Sequence, residues 1–291
     1  MEWYVFAFAC AFVVSLAAIT EKKTLFKEHA MEFSTVLAIF NFLLSIPLLV
    51  FADFSILYNS LDLVVLIYCA SLLGSIAFLL IAKSMRHLDI SKVSPLLNFS
   101  PAVVAVLAFI LLREKLTLIQ IFGITLLMIG AYLLESKNGR NTFAKTMKEF
   151  TTSKYINYII ISFFLYGLSS IIDKYSLGFI TPVTHLATLQ FFIAINFIVM
   201  IILFHNGISG IKNGINRAGK WIFLVAIFTV SYRLLQLQAV SMAYVSLVIP
   251  IKKLGTLFST IIGGKIFHEK DILKKTLACI VMLLGVYLIV I

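Results

Sequence analysis

Ten separate apolar runs, each about as long as a helix must be to cross the hydrocarbon core of a bilayer, decide what this chain can fold into. They are Trp3 to Thr20, Thr35 to Phe51, Leu63 to Ala82, Val93 to Leu112, Leu118 to Leu134, Tyr155 to Ile172, Val183 to Phe204, Trp221 to Ser241, Leu247 to Phe267 and Leu273 to Ile291. None alternates polar with apolar residues as a lumen-lined barrel strand would, so the predicted fold is an all-α integral membrane protein with ten transmembrane helices. Composition agrees: 61% of the residues are hydrophobic, 13% are charged, and the mean hydropathy is +1.05, more apolar surface than a soluble fold can hide. The first run is read as a helix and not as a secretory signal, because Glu2 stands where a basic segment should be and no cleavage site follows.

The runs divide into two equivalent sets. Arg113-Glu114-Lys115 and Ile129-Gly130-Ala131-Tyr132-Leu133 recur 155 residues later as His268-Glu269-Lys270 and Leu284-Gly285-Val286-Tyr287-Leu288. At the same offset Asn41-Phe42 meets Asn196-Phe197 and Pro95 meets Pro250, while Ser84-Met85 meets Ser241-Met242 after a slip of two residues. Ser15 to Lys22 resembles Gly167 to Lys174 in the same way. Five helices per copy is an odd number, so the second copy enters the membrane from the opposite side and the halves are inverted repeats. Such repeats commonly enclose a midplane site with alternating access. The expected organisation is a first repeat over 1–135, a polar linker over 136–154 with five basic residues, and a second repeat over 155–291.

Ser100-Pro101, then Leu112-Arg113-Glu114-Lys115 and the glycine-punctuated fifth helix, with Gly264 to Lys270 in the second copy, resemble the EamA-type members of the drug/metabolite transporter superfamily. The resemblance spans essentially the whole chain and departs at Thr256, which stands where the first copy has Pro101. It implies ten helices and a central cavity lined by the helices before and after each third-to-fourth hairpin. It also implies export or exchange of a small metabolite, with one chain sufficient for the pathway and a dimer compatible with it.

Ionisable groups inside apolar helices are expensive and mark the place to look for function. Arg233 lies mid-way along the eighth run, eleven residues or roughly 16 Å from the turn near Tyr244. Lys252 and Lys253 lie roughly 12 to 14 Å beyond the same turn on the ninth, so the three cations share a depth. Neighbouring helical residues diverge by about 100°, and Lys252 is the first choice for the cavity because Gly255, Thr256, Ser259 and Gly263 follow it on a small, partly polar stripe. Lys253 heads a similar stripe through Thr256, Leu257, Thr260 and Gly264. Arg233 shares its face with Thr229 and Gln236, and Tyr232 adjoins it. The candidate substrate-binding set is therefore Arg233, Lys252, Lys253, Tyr232, Gln236, Thr256 and Ser259.

No carboxylate lies at this depth in the eighth or ninth run, so the charge reads as uncompensated and the substrate as anionic: an amino acid, organic acid or phosphorylated compound gripped by Arg and attracted by Lys. The competing reading has the cations snorkel, or pair across the bundle with Asp173 or Glu21. A flippase of lipids or lipid-linked sugars on the same fold is the alternative function, since a phosphate headgroup would meet the same cations.

Bland roles are expected elsewhere. Asn41 and Asn196 are read as interhelical hydrogen-bonding groups, Glu114 and Glu269 as caps of the helices that follow them, and Lys22 and Lys174 as interfacial anchors. His29, His87, His185, His205 and His268 show no ligand spacing, and Cys10, Cys69 and Cys279 sit singly in apolar runs, so neither a metal nor a cofactor is expected. No nucleophile and base fall within the helices, which argues against an enzyme. The net charge of +11 sits in short connectors without a continuous basic face, so no nucleic-acid partner is expected; the partners are a small-molecule substrate and the lipid bilayer. Basic residues collect after odd-numbered runs, which places both termini outside, the opposite of the cytoplasmic termini the resemblance implies; the expected location is a plasma (inner) membrane.

Overall fold

The computed structural model describes residues 2–25, 29–88, 96–135, 153–259 and 272–291, and among these it contains helices and no strand. Among the described residues the longer helices are α1 (Trp3–Leu25), α2 (Ala30–Ser45), α3 (Leu61–His87), α4 (Ser100–Leu107), α5 (Leu118–Glu135), α6 (Lys154–Ser176), α7 (Pro182–Phe204), α8 (Gly207–Met242), α9 (Val245–Lys252) and α10 (Ile272–Val290), with a short helical turn, Ser55–Asn59, ahead of α3. Among the described residues six helical stretches are long and apolar enough to cross a membrane: Trp3–Glu21, Ala30–Phe51, Leu61–Met85, Lys154–Ser176, Pro182–Phe204 and Gly207–Met242. Three shorter apolar helices, Ser100–Leu112, Leu118–Leu134 and Leu277–Val290, accompany them.

Helix boundaries follow local chemistry. Pro182 occupies the first turn of α7, where its missing N–H costs nothing, and the Thr181 hydroxyl accepts from the Thr184 N–H. Pro47 tightens the end of α2 into a 3₁₀ turn over Ile46–Phe51. Asp53 follows; its carboxyl accepts from the Ser55 N–H and is held below the usual carboxylate range by that bond. After α4 the coil widens over Ala108–Leu112 and closes on Arg113 at φ 55°, a left-handed turn that leaves Arg113 and Lys115 exposed and drives Glu114 inward.

The largest departure from the sequence reading is α8, which runs 36 residues and begins at Gly207, fourteen before the apolar stretch. Lys212, Arg217 and Lys220 therefore ride on a helix, not in a loop. The cause is a stripe of buried small residues, Gly210, Gly214 and Ala218, which lets the extension lie on α2: a Cβ at Gly214 would meet Val36 Cγ2 at 3.0 Å.

The packing is paired. α1 lies on α8 as α6 lies on α3, α2 lies on α8 as α7 lies on α3, and α1 meets α9 as α6 meets α4, so each contact recurs when the helix numbers are shifted by five. α5 packs on α10, α2 on α7 and α4 on α9, each a helix meeting its own counterpart. In the α5–α10 seam a Cβ at Gly123 would fall 2.7 Å from the Gly285 carbonyl, and one at Gly130 would fall 2.9 Å from that of Ala278. The early residue of one helix thus faces the late residue of the other, and the two are antiparallel. The largest apolar core is built where α1, α4, α5, α9 and α10 meet, around Ala11, Val104, Leu127, Ile251 and Met282.

Between α7 and α3 the Asn196 amide donates to Ser71 Oγ at 3.0 Å, the interhelical bond expected of it. Asn41 is as deeply buried, yet its Oδ1 has no partner among the described residues, and Ala226 at the position equivalent to Ser71 offers its amide no hydroxyl. Asn196→Ala is therefore expected to cost about 1 kcal/mol and Asn41→Ala less, read as the difference in thermal midpoint in detergent. Equal losses would mean that the Ser71 bond contributes nothing.

Candidate functional site

α8 and α9 carry the cations, and the corner between them at Ala243 and Tyr244 fixes how they face. Lys252 donates to Gln236 Oε1 at 2.8 Å, and its Nζ lies 4.7 Å from the centre of the Tyr232 ring. Gln236 is four residues on from Tyr232 along α8, so the two present a single face, one offering a carbonyl dipole and the other a π cloud. Both partners are neutral. Among the described residues no carboxylate pairs with Lys252.

Arg233 is turned the other way. Its Nη2 lies 3.6 Å from Asp173 Oδ2, with Asp173 on the last turns of α6, so the expectation of an uncompensated Arg233 does not hold. Asp173 is 2% exposed, and its other oxygen is bound at 2.9 Å by Nε2 of His185, which is fully buried in the first turn of α7. The competing reading, in which a cation pairs across the bundle with Asp173, is the one the structure supports for Arg233, whereas His185, read as an isolated polar residue, became visible only in three dimensions. The one sequence signal available for His185 is its place four residues after the Thr181-Pro182 start of α7, which buries it against the end of α6.

The two halves of the site communicate. Lys252 lies within electrostatic range of Arg233 and Asp173, and Cys10 on α1 lies within range of both cations. Gly255 permits this convergence, since a Cβ there would meet the Ala11 carbonyl at 2.9 Å.

The remaining candidates are placed differently. Lys253 donates to the Leu97 carbonyl at 2.8 Å, just before α4, and so points away from Lys252 as the 100° rule requires. The Thr256 hydroxyl donates to the Lys253 carbonyl and that of Ser259 to the Thr256 carbonyl, both bonds within the chain's own helical turns. Gly263, Gly264, Thr260, Glu269 and His268 lie outside the described residues, as does the linker over 136–152.

Three other expectations are corrected by contacts. Glu114 caps α9 and not the helix that follows it, accepting from the Val245 N–H at 2.9 Å and the Ser246 N–H at 3.1 Å. Lys174 is no loose anchor, because its ammonium donates to the carbonyls of Val240 at 2.7 Å and Ala243 at 2.9 Å, at the end of α8. His205 is not isolated either: its Nε2 lies 3.3 Å from Glu32 Oε1, and its ring stacks on His29 with centroids 4.1 Å apart.

A bundle of long apolar helices with buried charges where they converge is that of a multi-pass integral membrane protein. The profile of the EamA-like transporter family matches residues 1–136 and 153–291, and the chain belongs to that family. It is accordingly a membrane transporter of small molecules, from a family that is not generally enzymatic. A crystal structure described only as that of a protein superposes with a TM-score of 0.70 at 10% identity, over 98% of this chain and 94% of the other; the likeness is one of fold alone. No curated protein matches the chain.

Proposed function

We propose that the chain crosses the membrane ten times as two inverted five-helix repeats, 1–135 and 155–291 joined by a linker over 136–154, and carries a small organic anion by alternating access. The paired packing and the antiparallel α5–α10 seam support the inverted repeat: shifting Gly123 and Gly285 by the 155-residue offset gives Ala278 and Gly130, the very pair that meets at the other end of the seam. A two-fold axis in the membrane plane is the operation that exchanges two such helices.

The anionic substrate rests on one observation. Among the described residues Lys252 is bound by the neutral Gln236 and Tyr232 ring and by no carboxylate, so the set of Arg233, Lys252 and Asp173 carries one positive charge more than negative. A carboxylate or phosphate supplies the missing charge, with Arg233 offering a planar fork and Lys252 a point charge. A plasma (inner) membrane location and a single chain as the working unit fit this role.

Counterflow in liposomes tests the reading, using radiolabelled glutamate, malate and glycerol 3-phosphate. The wild type is expected to exchange at least one of them saturably, and Arg233→Gln and Lys252→Gln are each expected to lower that exchange by about a hundredfold, the loss of a charge-assisted bond to an ion. Anion exchange that survives both substitutions would leave the transporter and assign the cations to structure. If the wild type moves none of the three, a fluorescent-lipid translocation assay tests the flippase alternative, which the same cations would serve.

A further inference from the structure

We infer that Asp173 is a built-in counter-anion for Arg233, standing in the empty carrier where a substrate's anionic group stands in the loaded one, so that the protein moves its substrate in net flux and not only by exchange. The inference rests on the anionic-substrate reading above and adds to it the behaviour of the unloaded state.

The two oxygens of Asp173 are held very unequally. Oδ1 takes a 2.9 Å bond from His185, while Oδ2 is 3.6 Å from Arg233 Nη2, beyond hydrogen-bond range. The backbone of His185 is fixed in the capped first turn of α7, where its amide N–H donates to the Thr181 carbonyl, and its ring is fully buried. The carboxylate is thus tied to α6 and α7, with its side chain 4% exposed, while the guanidinium on α8 is 19% exposed and only loosely engaged. That asymmetry suits a partner that yields: an incoming anion can draw Arg233 away without Asp173 losing its own anchor.

The consequence concerns the return step. An unpaired cation near the bilayer centre is costly, and a carrier that must reorient with one waits for a counter-substrate to neutralise it. Asp173 shortens that wait by neutralising Arg233 when the site is empty, leaving Lys252, held by Gln236 and the Tyr232 ring, as the one charge that returns without a counter-anion. It also competes with substrate for Arg233, so it weakens binding while permitting return. His185 is the positioning residue that keeps the carboxylate in place.

The test compares counterflow with zero-trans efflux of glutamate, malate and glycerol 3-phosphate from liposomes clamped at zero potential, using the full-length protein. The wild type is expected to show both. In Asp173→Asn, whose amide still bonds His185, net efflux is expected to fall about tenfold or more while the half-saturating concentration for exchange falls about threefold, opposite changes that a merely misfolded site does not give. His185→Gln is expected to move both quantities the same way by less, and it decides the matter if Asp173→Asn does not fold. An unchanged ratio of net efflux to exchange in these variants, or a wild type that only exchanges, overturns the inference and leaves the anionic site standing. A wild type that counterflows none of the anions removes the anionic site itself, and the inference falls with it.

Discussion

A Gly285→Leu variant is expected to lose its folded state, with a cost of about 3 kcal/mol or more, because nothing around Gly285 can give way. A Cβ there would stand 2.7 Å from the Gly123 carbonyl and 2.7 Å from the Leu127 amide nitrogen, both backbone atoms of α5. The facing position repeats the condition, with Gly123 meeting the Gly285 carbonyl at 2.7 Å, so the two helices touch backbone to backbone and separate if either gains a side chain. Separation also opens the core beside it, where Leu127 and Met282 are completely buried. Gly219→Ala is the control: its Cβ would meet only Ile215 of its own helix at 3.5 Å, and helix propensity predicts no loss and a gain of up to about 1 kcal/mol. Thermal unfolding in detergent and the monodisperse fraction on size exclusion read both. A Gly285→Leu protein that melts like wild type would mean that the seam is not the close contact described.

The equivalence of α5 and α10 was legible in the sequence because repeats and glycines are local signals, with Gly130 and Gly285 in equivalent places of matched motifs; that the two helices touch was not, since equivalence in a repeat does not imply contact. The apolar runs were equally legible, since membrane crossing is a property of twenty consecutive residues. What escaped was set by contacts between distant segments. Asp173 was named as one candidate partner for the cations, but its bond to His185 was not, and Glu114 and Ser246 are more than a hundred residues apart; no periodicity links them. The start of α8 escaped for another reason. Its first turns are polar enough to read as a connector, and only their Gly210, Gly214, Ala218 stripe records that α2 is packed against them. Of the candidate site, Lys252, Tyr232 and Gln236 come together, while Arg233, which helical phase had put on the face of Gln236, turns to Asp173, and Lys253 is separated from Lys252 by phase.

Glu114→Ala is expected to destabilise the protein by about 2 to 4 kcal/mol, because it strips the cap from a helix whose own sequence supplies none. Tyr244 stands at the N-cap of α9 and makes no side-chain cap bond, so the first N–H groups of that helix depend on a carboxylate borrowed from the turn before α5. The Ser246 hydroxyl is a third donor to Glu114, and the carboxylate is 4% exposed, so water does not replace it readily. The helix dipole adds to the attraction, since the anion sits at the positive end of α9. Glu114→Gln keeps one accepting oxygen but turns an NH₂ toward donors, and an intermediate loss of about 1 to 2 kcal/mol follows. Ser246→Ala removes one bond and is expected to cost about 1 kcal/mol, and the double variant Glu114→Ala with Ser246→Ala should cost less than the sum, because the two act on one network. Thermal midpoints of the four proteins give the cycle, and strict additivity would show that the two side chains do not work together. The stakes reach the transport site, because Lys174 holds the last carbonyls of α8 at the same corner that Glu114 holds the first amides of α9. Arg233 and Lys252 lie on the two helices that meet there, so the corner that these charges fasten is also what sets the distance between the cations.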